Sequence, residues 1–305
     1  MLSQRSSGED AGSPAPPAVA ACDAPAPLPA VAATAVAIAR ERAAESVGDD
    51  RLFADPLAAR FAAAADRPGE PAPPPLGEMV PVMRGYVALR TRAFDDALLV
   101  SGCRQVVLLA AGLDARAFRL PWPAGTALFE LDVPELVAFK EPLVEEAATC
   151  ARTVLAVDLR DDWRAPLLAA GFDPAAPTAW LAEGLLMYLS PAENDALLRT
   201  VGELSAPGSV LLAEHVPTAG TRPPETDEEG HVLDAGGASW RSTLDDPIAW
   251  LAGHGWAAAA IDAAALATSL DRPLPPVLDR AAVGDACAWL LQATRSSPRP
   301  LPSIP

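Results

Sequence analysis

Gln105-Val-Val-Leu-Leu-Ala-Ala-Gly-Leu-Asp-Ala-Arg-Ala-Phe-Arg-Leu120 is the stretch from which the fold of this chain is read. Val106 to Ala111 is an unbroken apolar run of strand length, and it meets a lone glycine, Gly112, followed by Asp114. A run apolar at every residue, rather than at alternate ones, reads as a strand covered on both faces. It predicts a strand over 105–110, left through a turn at Gly112.

Downstream the same signature recurs at 127–131, 153–157, 178–182 and 210–213, with helical segments at 134–148, 162–170 and 191–205 between most of these strands. Apolar strands alternating with helices imply a parallel sheet with helices on both faces, and right-handed crossovers make it doubly wound. A helix at 247–253 and two late strands, 256–262 and 286–294, complete the reading. The fold class is α/β, a mostly parallel seven-stranded Rossmann-like sheet. Upstream lie helices from Thr34, read as a cap, to Gly48; over 56–65, capped by Asp55; and over 78–100. Residues 67–76 hold five prolines and read as a loop, as does the acidic 218–237. The organisation is a disordered tail (1–30), an N-terminal helical cap (31–100), a core (101–295) and a tail (296–305), with cap and core as one domain.

Half of the 305 residues are hydrophobic and 21% are charged, the balance of a globular protein. The formal charge of −17 opposes binding to nucleic acid or an anionic membrane, so the expected partner is a small molecule. No apolar stretch reaches the roughly 18 residues of a membrane span, and the Pro-broken N-terminus is no secretory signal. A cytoplasmic location is expected. Cys22, Cys103, Cys150 and Cys287 form no C-x-x-C, and His215, His231 and His254 lack metal-ligand spacing, so no metal site is expected.

Ligands of open α/β sheets bind beyond the carboxyl ends of the strands. Those ends carry Gly112 and Asp114, Asp132, Asp158, Glu183, and Glu214 with His215. The first turn has one glycine where a dinucleotide fingerprint has three, so it is poorly equipped for a pyrophosphate. Asp132 nevertheless lies 20 residues beyond Gly112, the spacing at which an acid meets ribose hydroxyls. Together these features suggest an adenosine ligand without pyrophosphate, for which S-adenosylmethionine is the natural candidate. A nucleotide-dependent oxidoreductase and a non-catalytic adenosine-binding protein are the alternatives; the missing glycines count against the first.

The quoted stretch, with Phe129-Glu-Leu-Asp132, Lys140, Asp158-Leu-Arg-Asp-Asp-Trp163 and Glu183-Gly-Leu-Leu-Met-Tyr188, resembles the leucine carboxyl methyltransferase family, in particular its bacterial branch. Phe53-Ala-Asp-Pro56 and Arg90-Thr-Arg-Ala-Phe-Asp95 resemble it as well, and the likeness thins beyond Glu214. The resemblance implies S-adenosylmethionine as cofactor. It implies that Asp132 accepts from the ribose hydroxyls, Asp158 from the adenine amino group, and that Leu159 contacts the ring. It further implies that Gly112 admits the methionine portion, Glu183 lies near the ligand's amino group, and Arg90 pairs with its carboxylate, with Arg92 competing for that role.

A methyl group on a sulfonium needs positioning more than covalent help. A carboxylate acceptor is already ionised at neutral pH, whereas a phenol would benefit from a base. His215 is the candidate base, with a structural histidine as the alternative. Tyr188 either lines the acceptor pocket or packs on the next helix. The expected function is O-methylation of a carboxyl or hydroxyl group on a small metabolite, polyketide-type natural products being one class. The N-terminal helices are the natural cover over a bound cofactor.

Overall fold

The computed structural model describes residues 30–66, 69, 76–220 and 240–296. The tail expected at 1–30, apart from Ala30, nearly all of the 67–76 loop, most of the 218–237 loop and the end of the C-terminal tail lie outside the described residues. The strands are β1 (Gln105–Leu109), β2 (Ala127–Asp132), β3 (Ala151–Ala156), β4 (Thr178–Ala182), β5 (Val210–His215), β6 (Trp256–Ala260) and β7 (Trp289–Arg295). They form one sheet in the order β3-β2-β1-β4-β5-β7-β6. The ladders from β3 to β5 are parallel, while β7 runs antiparallel to both β5 and β6. The doubly wound seven-stranded α/β class therefore holds, with two antiparallel ladders at one side. Among the described residues no helix is long and apolar enough to cross a membrane.

The helices are α1 (Ala30–Ser46), α2 (Ala58–Ala65), α3 (Leu76–Met79), α4 (Tyr86–Val100), α5 (Arg116–Arg119), α6 (Pro134–Lys140), α7 (Arg164–Ala169), α8 (Pro191–Glu203), α9 (Pro247–Gly253), α10 (Ala263–Ser269) and α11 (Arg280–Val283). Strand alternation splits the core. Val106, Leu108, Leu181 and Leu212 pack with Leu89, Phe94 and Leu98 of α4, whereas Val107, Leu109, Trp180 and Leu211 pack with Leu167 of α7, Leu197 of α8 and Leu251 of α9. A third cluster joins Val36 and Ala39 of α1 to Phe61 of α2, Leu113 and Leu136. α1 is thereby bound to the turn that leaves β1.

Several expected boundaries are corrected. α1 begins at Ala30, so Thr34 is inside the helix rather than its cap; the alanines before it are the best helix formers. The segment expected as one helix over 78–100 is broken, because Pro81 opens a short 3-10 turn and Gly85 takes a φ of +73°. Such a value is open to glycine and ends helical continuity. The helix expected over 134–148 stops at Lys140 and tightens to 3-10 at Glu141–Leu143, where Pro142 supplies no N–H. α2 starts at Ala58, while Asp55 still accepts from the N–H groups of Leu57 and Ala58 at 3.1 and 3.0 Å. The last strand starts at Trp289, three residues late, because Gly284–Ala286 forms a 3-10 turn. α10, capped by Asp262, was not anticipated.

Candidate cofactor site

Two ladder bonds continue past the strands, from Ala111 N–H to Leu131 O (3.0 Å) and from Val157 N–H to Asp132 O (2.8 Å). They bring Gly112 beside Asp132. The Asp132 carboxylate accepts from Gly112 N–H at 2.6 Å and Val133 N–H at 2.7 Å. Burial pushes its pKa up against these two bonds, since the charged form is poorly solvated there. The turn needs left-handed backbone twice: Gly112 has a φ of +54° and Ala110 a φ of +53°. Only the first is glycine, so Ala110 is strained. α1 lies over this turn. A Cβ on Gly112 would sit 3.7 Å from that of Ala35, and Arg42 donates to Leu113 O while pairing with Asp55 at 3.0 Å.

Behind the turn is a chain of buried charges contributed by α4, the β1–α5 segment and the ends of β4 and β5. Arg90 meets Glu183 at 2.9 Å and Glu214 at 2.6 Å. Arg116 meets Glu183 and Asp95, each at 2.7 Å, and also pairs with Asp114. Arg119 closes on Asp95 at 2.5 Å. Glu214 also accepts from the Tyr86 O–H and from Gly184 N–H. None of the seven charged side chains is more than 10% exposed. Asp114 is held down at about 2 by Arg116 and Arg42, despite burial that acts the other way. Glu183 is likewise lowered by Arg116 and Arg90 against its burial. Glu214 is raised, since burial and the neighbouring Glu183 outweigh Arg90.

The structure separates the two arginines that the sequence left competing. Arg90 is in the buried chain, whereas Arg92 turns to Asp96 and Leu52 O, with its side chain 35% exposed. Residues two apart on a helix point about 200° away from each other, so only one can face the sheet. Asp158 lies just past β3, half-buried, and accepts from Arg160 N–H and Nε, both at 2.9 Å; Arg160 lowers its pKa. Leu159 packs against the core beside it. Tyr188 hydrogen-bonds with Trp240 and Thr34, joining the turn after β4 to α1, and burial raises its pKa.

His215 is on the other face of β5 from Glu214, as strand alternation requires. It borders a cavity of about 170 Å³ lined also by Asn194, Ser242 and Trp250. Its Nδ1 accepts from Val216 N–H at 2.8 Å, its Nε2 is 3.4 Å from Ser242 Oγ, and burial lowers its pKa. Ser242 and Asn194 both donate to Leu186 O at 2.9 Å, pinning the turn that carries Glu183. The structure thus gathers Arg90, Gly112, Asp132 and Glu183 around the end of β1, with Tyr188 tied to the overlying helix. Asp158 and Leu159 stand two strands out, and His215 stands behind the sheet. Sequence reasoning passed over Arg116, Asp95 and Tyr86. Arg116 and Asp95 were present in the quoted motifs, but no spacing encodes a pair between α4 and α5.

Over residues 35–202, more than half its length, the chain matches the family described as leucine carboxyl methyltransferase. The chain belongs to that family. A protein of Parafrankia sp. named "Putative S-adenosyl-L-methionine-dependent methyltransferase" is 47% identical over 247 residues, which cover 77% of this chain and 79% of the relative. A Streptomyces coelicolor protein with the same name is 45% identical over 250 residues, covering 77% and 86%. A solved DUF574 family protein from Streptomyces avermitilis superposes with a TM-score of 0.51 at 15% identity, covering 84% of this chain and 96% of that one. At that identity the likeness shows the fold alone. The family match ends within α8, so Glu214 and His215 lie beyond it.

Proposed function

We propose that the chain is an S-adenosylmethionine-dependent O-methyltransferase acting on a carboxyl or hydroxyl group of a small metabolite. The observation that carries this reading is the buried charge chain beside Gly112 and Asp132, in which four carboxylates face three guanidiniums. A site with that balance suits a ligand with net positive charge. The donor set fits as well, because Arg90 Nε and Arg116 Nη2 are buried without a partner among the described residues and are N–H groups of the kind a ligand carboxylate takes.

Within this reading Asp132 accepts from the ribose hydroxyls, Asp158 from the adenine amino group, and Leu159 rests against the ring. Gly112 lets the backbone approach the methionine portion, Glu183 holds its ammonium and Arg90 its carboxylate. Bound S-adenosylmethionine supplies a methyl group on a cationic sulfur, a good leaving group. The chain's residues hold the reactants in line, and α1, which lies over the half-exposed turn, is the cover that limits water once the cofactor fills it. A carboxylate acceptor is the simplest case, since it arrives ionised and asks no base of the protein. A hydroxyl acceptor would need a base, and His215, which the sequence offered for that task, faces the separate cavity behind β5 with its Nδ1 held by Val216 N–H, so it is not placed to serve the Gly112 side. Tyr188, its phenol kept protonated by burial, lines the acceptor side.

Transfer of labelled methyl to a panel of carboxylic acids and phenols, aromatic polyketide-type acids among them, tests the proposal. Label on oxygen is expected: released as methanol by mild alkali from a carboxyl acceptor, as an ester requires, and alkali-stable as a methyl ether from a hydroxyl acceptor. Transfer confined to nitrogen, sulfur or carbon acceptors would overturn it.

A further inference from the structure

The buried charges behind Gly112 do not cancel. Among the described residues Asp95, Asp114, Glu183 and Glu214 are paired with Arg90, Arg116 and Arg119 alone, joined in one chain of ion-pair contacts. Among the described residues the neighbouring cations bring their own acids, although the field of Arg42 also reaches Asp114 and Glu183. Arg42 is taken by Asp55, and Lys140 and Arg152 are balanced by Glu130 and Glu141. Asp132 adds a carboxylate whose hydrogen-bond partners among the described residues are backbone N–H groups.

The surplus settles on Glu214. From α4 it meets Tyr86 and Arg90; from the segment after β4 it meets Gly184 N–H, the charge of Glu183 and, farther off, the neutral phenol of Tyr188; across the ladder to β7 it meets Leu290, which is apolar. It therefore touches one guanidinium, Arg90, and shares it with Glu183, whereas Glu183 touches two, Arg90 and Arg116. Burial raises the Glu214 carboxyl, and the paired guanidiniums lower that of Glu183. Of the acids in this chain of contacts, Glu214 is the one placed to take up a proton.

We propose that Glu214 makes this site charge-selective, favouring the sulfonium cofactor over the thioether that remains after methyl transfer. The inference rests on the S-adenosylmethionine reading above. With its sulfonium, ammonium and carboxylate the cofactor carries a net positive charge, which the surplus carboxylate balances. Transfer breaks the sulfur–methyl bond and leaves the electron pair on sulfur, so S-adenosylhomocysteine is neutral overall. Glu214 is then left uncompensated in a buried site and is neutralised by a proton from solvent. The device weakens the hold on product as pH rises, with no conformational change required.

Titration calorimetry on the full chain, in phosphate and in Tris across pH 6 to 8, reads the protons exchanged with each ligand. The expected result is that S-adenosylhomocysteine takes up about one proton more per site than S-adenosylmethionine, whichever state the free chain is in. Its affinity relative to the cofactor then falls by up to about tenfold per pH unit. Glu214→Gln is expected to abolish both differences. Equal proton counts in the unmodified chain, or a difference that survives Glu214→Gln, would overturn the proposal while leaving cofactor binding intact. If neither ligand binds, the cofactor reading itself falls with it. Should Glu214→Gln not fold, Tyr86→Phe serves. It removes the O–H donated to Glu214, so the pH at which product affinity falls should move upward, and an unmoved midpoint refutes the assignment.

Discussion

Replacing Asp132 by alanine tests one carboxylate in two roles. Its oxygens accept from Gly112 and Val133 N–H groups at 2.6 and 2.7 Å, each a charge-assisted bond. Such bonds contribute about 1.5–3 kcal/mol apiece, but here burial already disfavours the charged form and the half-exposed turn lets water replace it. The fold should therefore lose only about 1–2 kcal/mol, read as a shift of the urea midpoint. With Asp132 as the ribose acceptor, the ligand hydroxyls lose their charged partner, and affinity for S-adenosylhomocysteine should fall by about 1.5–3 kcal/mol. That is roughly 10- to 150-fold in Kd by calorimetry. Asp132→Asn should lie between, since its amide keeps one acceptor but turns an NH2 toward a backbone N–H. An alanine variant that folds and binds with unchanged affinity would refute the ribose assignment.

Arg116→Met leaves Asp95, Asp114 and Glu183 without their shared guanidinium, so unfolding free energy should drop by about 3–5 kcal/mol, and a change below about 1 would mean the buried network is not formed. Asp114 has a folded pKa of about 2, below its ordinary 3.8, so its contribution is complete above about pH 4 and is lost as pH falls toward 2; Asp114→Asn should remove a step on the order of 2 kcal/mol from urea titrations over that window. His215 is also lowered, so its buried neutral form costs stability as pH falls below about 6.5, a slope that His215→Gln should flatten. Ala110→Gly relieves a left-handed alanine at some cost in unfolded-state entropy and should raise stability by about 0.5–1 kcal/mol; a lower Tm would show that the strain is absent. Hydrogen exchange over residues 34–92 should slow when S-adenosylhomocysteine binds, less so in Arg90→Ala, and equal protection in both states would make α1 fixed scaffold rather than a cover.

The strand ladder was legible without coordinates because a parallel strand covered on both faces is apolar along nearly its whole length, and Gln105–Leu109 and Thr178–Ala182, buried at every residue, are apolar but for the Gln105 and Thr178 that start them. The carboxyl-end rule then placed Asp132, Glu183 and Glu214 at one edge, because the position of a residue in a strand fixes the edge it reaches. Boundaries slipped by one or two residues at the edge strands β3 and β6, where exposure admits Arg152 and Thr153 to one and four alanines, weak strand formers, to the other. They were also blurred where single residues such as Pro142 and Gly85 override a helical pattern many residues long. What sequence could not supply was pairing between elements. Arg116 reaches Asp95 across 21 positions and Arg90 reaches Glu214 across 124, contacts decided by which helix covers which face. The same holds for His215 and Glu214, adjacent in the chain and equally eligible by motif. A pleated strand sends them to opposite faces, and only the helix packed against each face decides that one joins the charged site while the other borders a separate cavity.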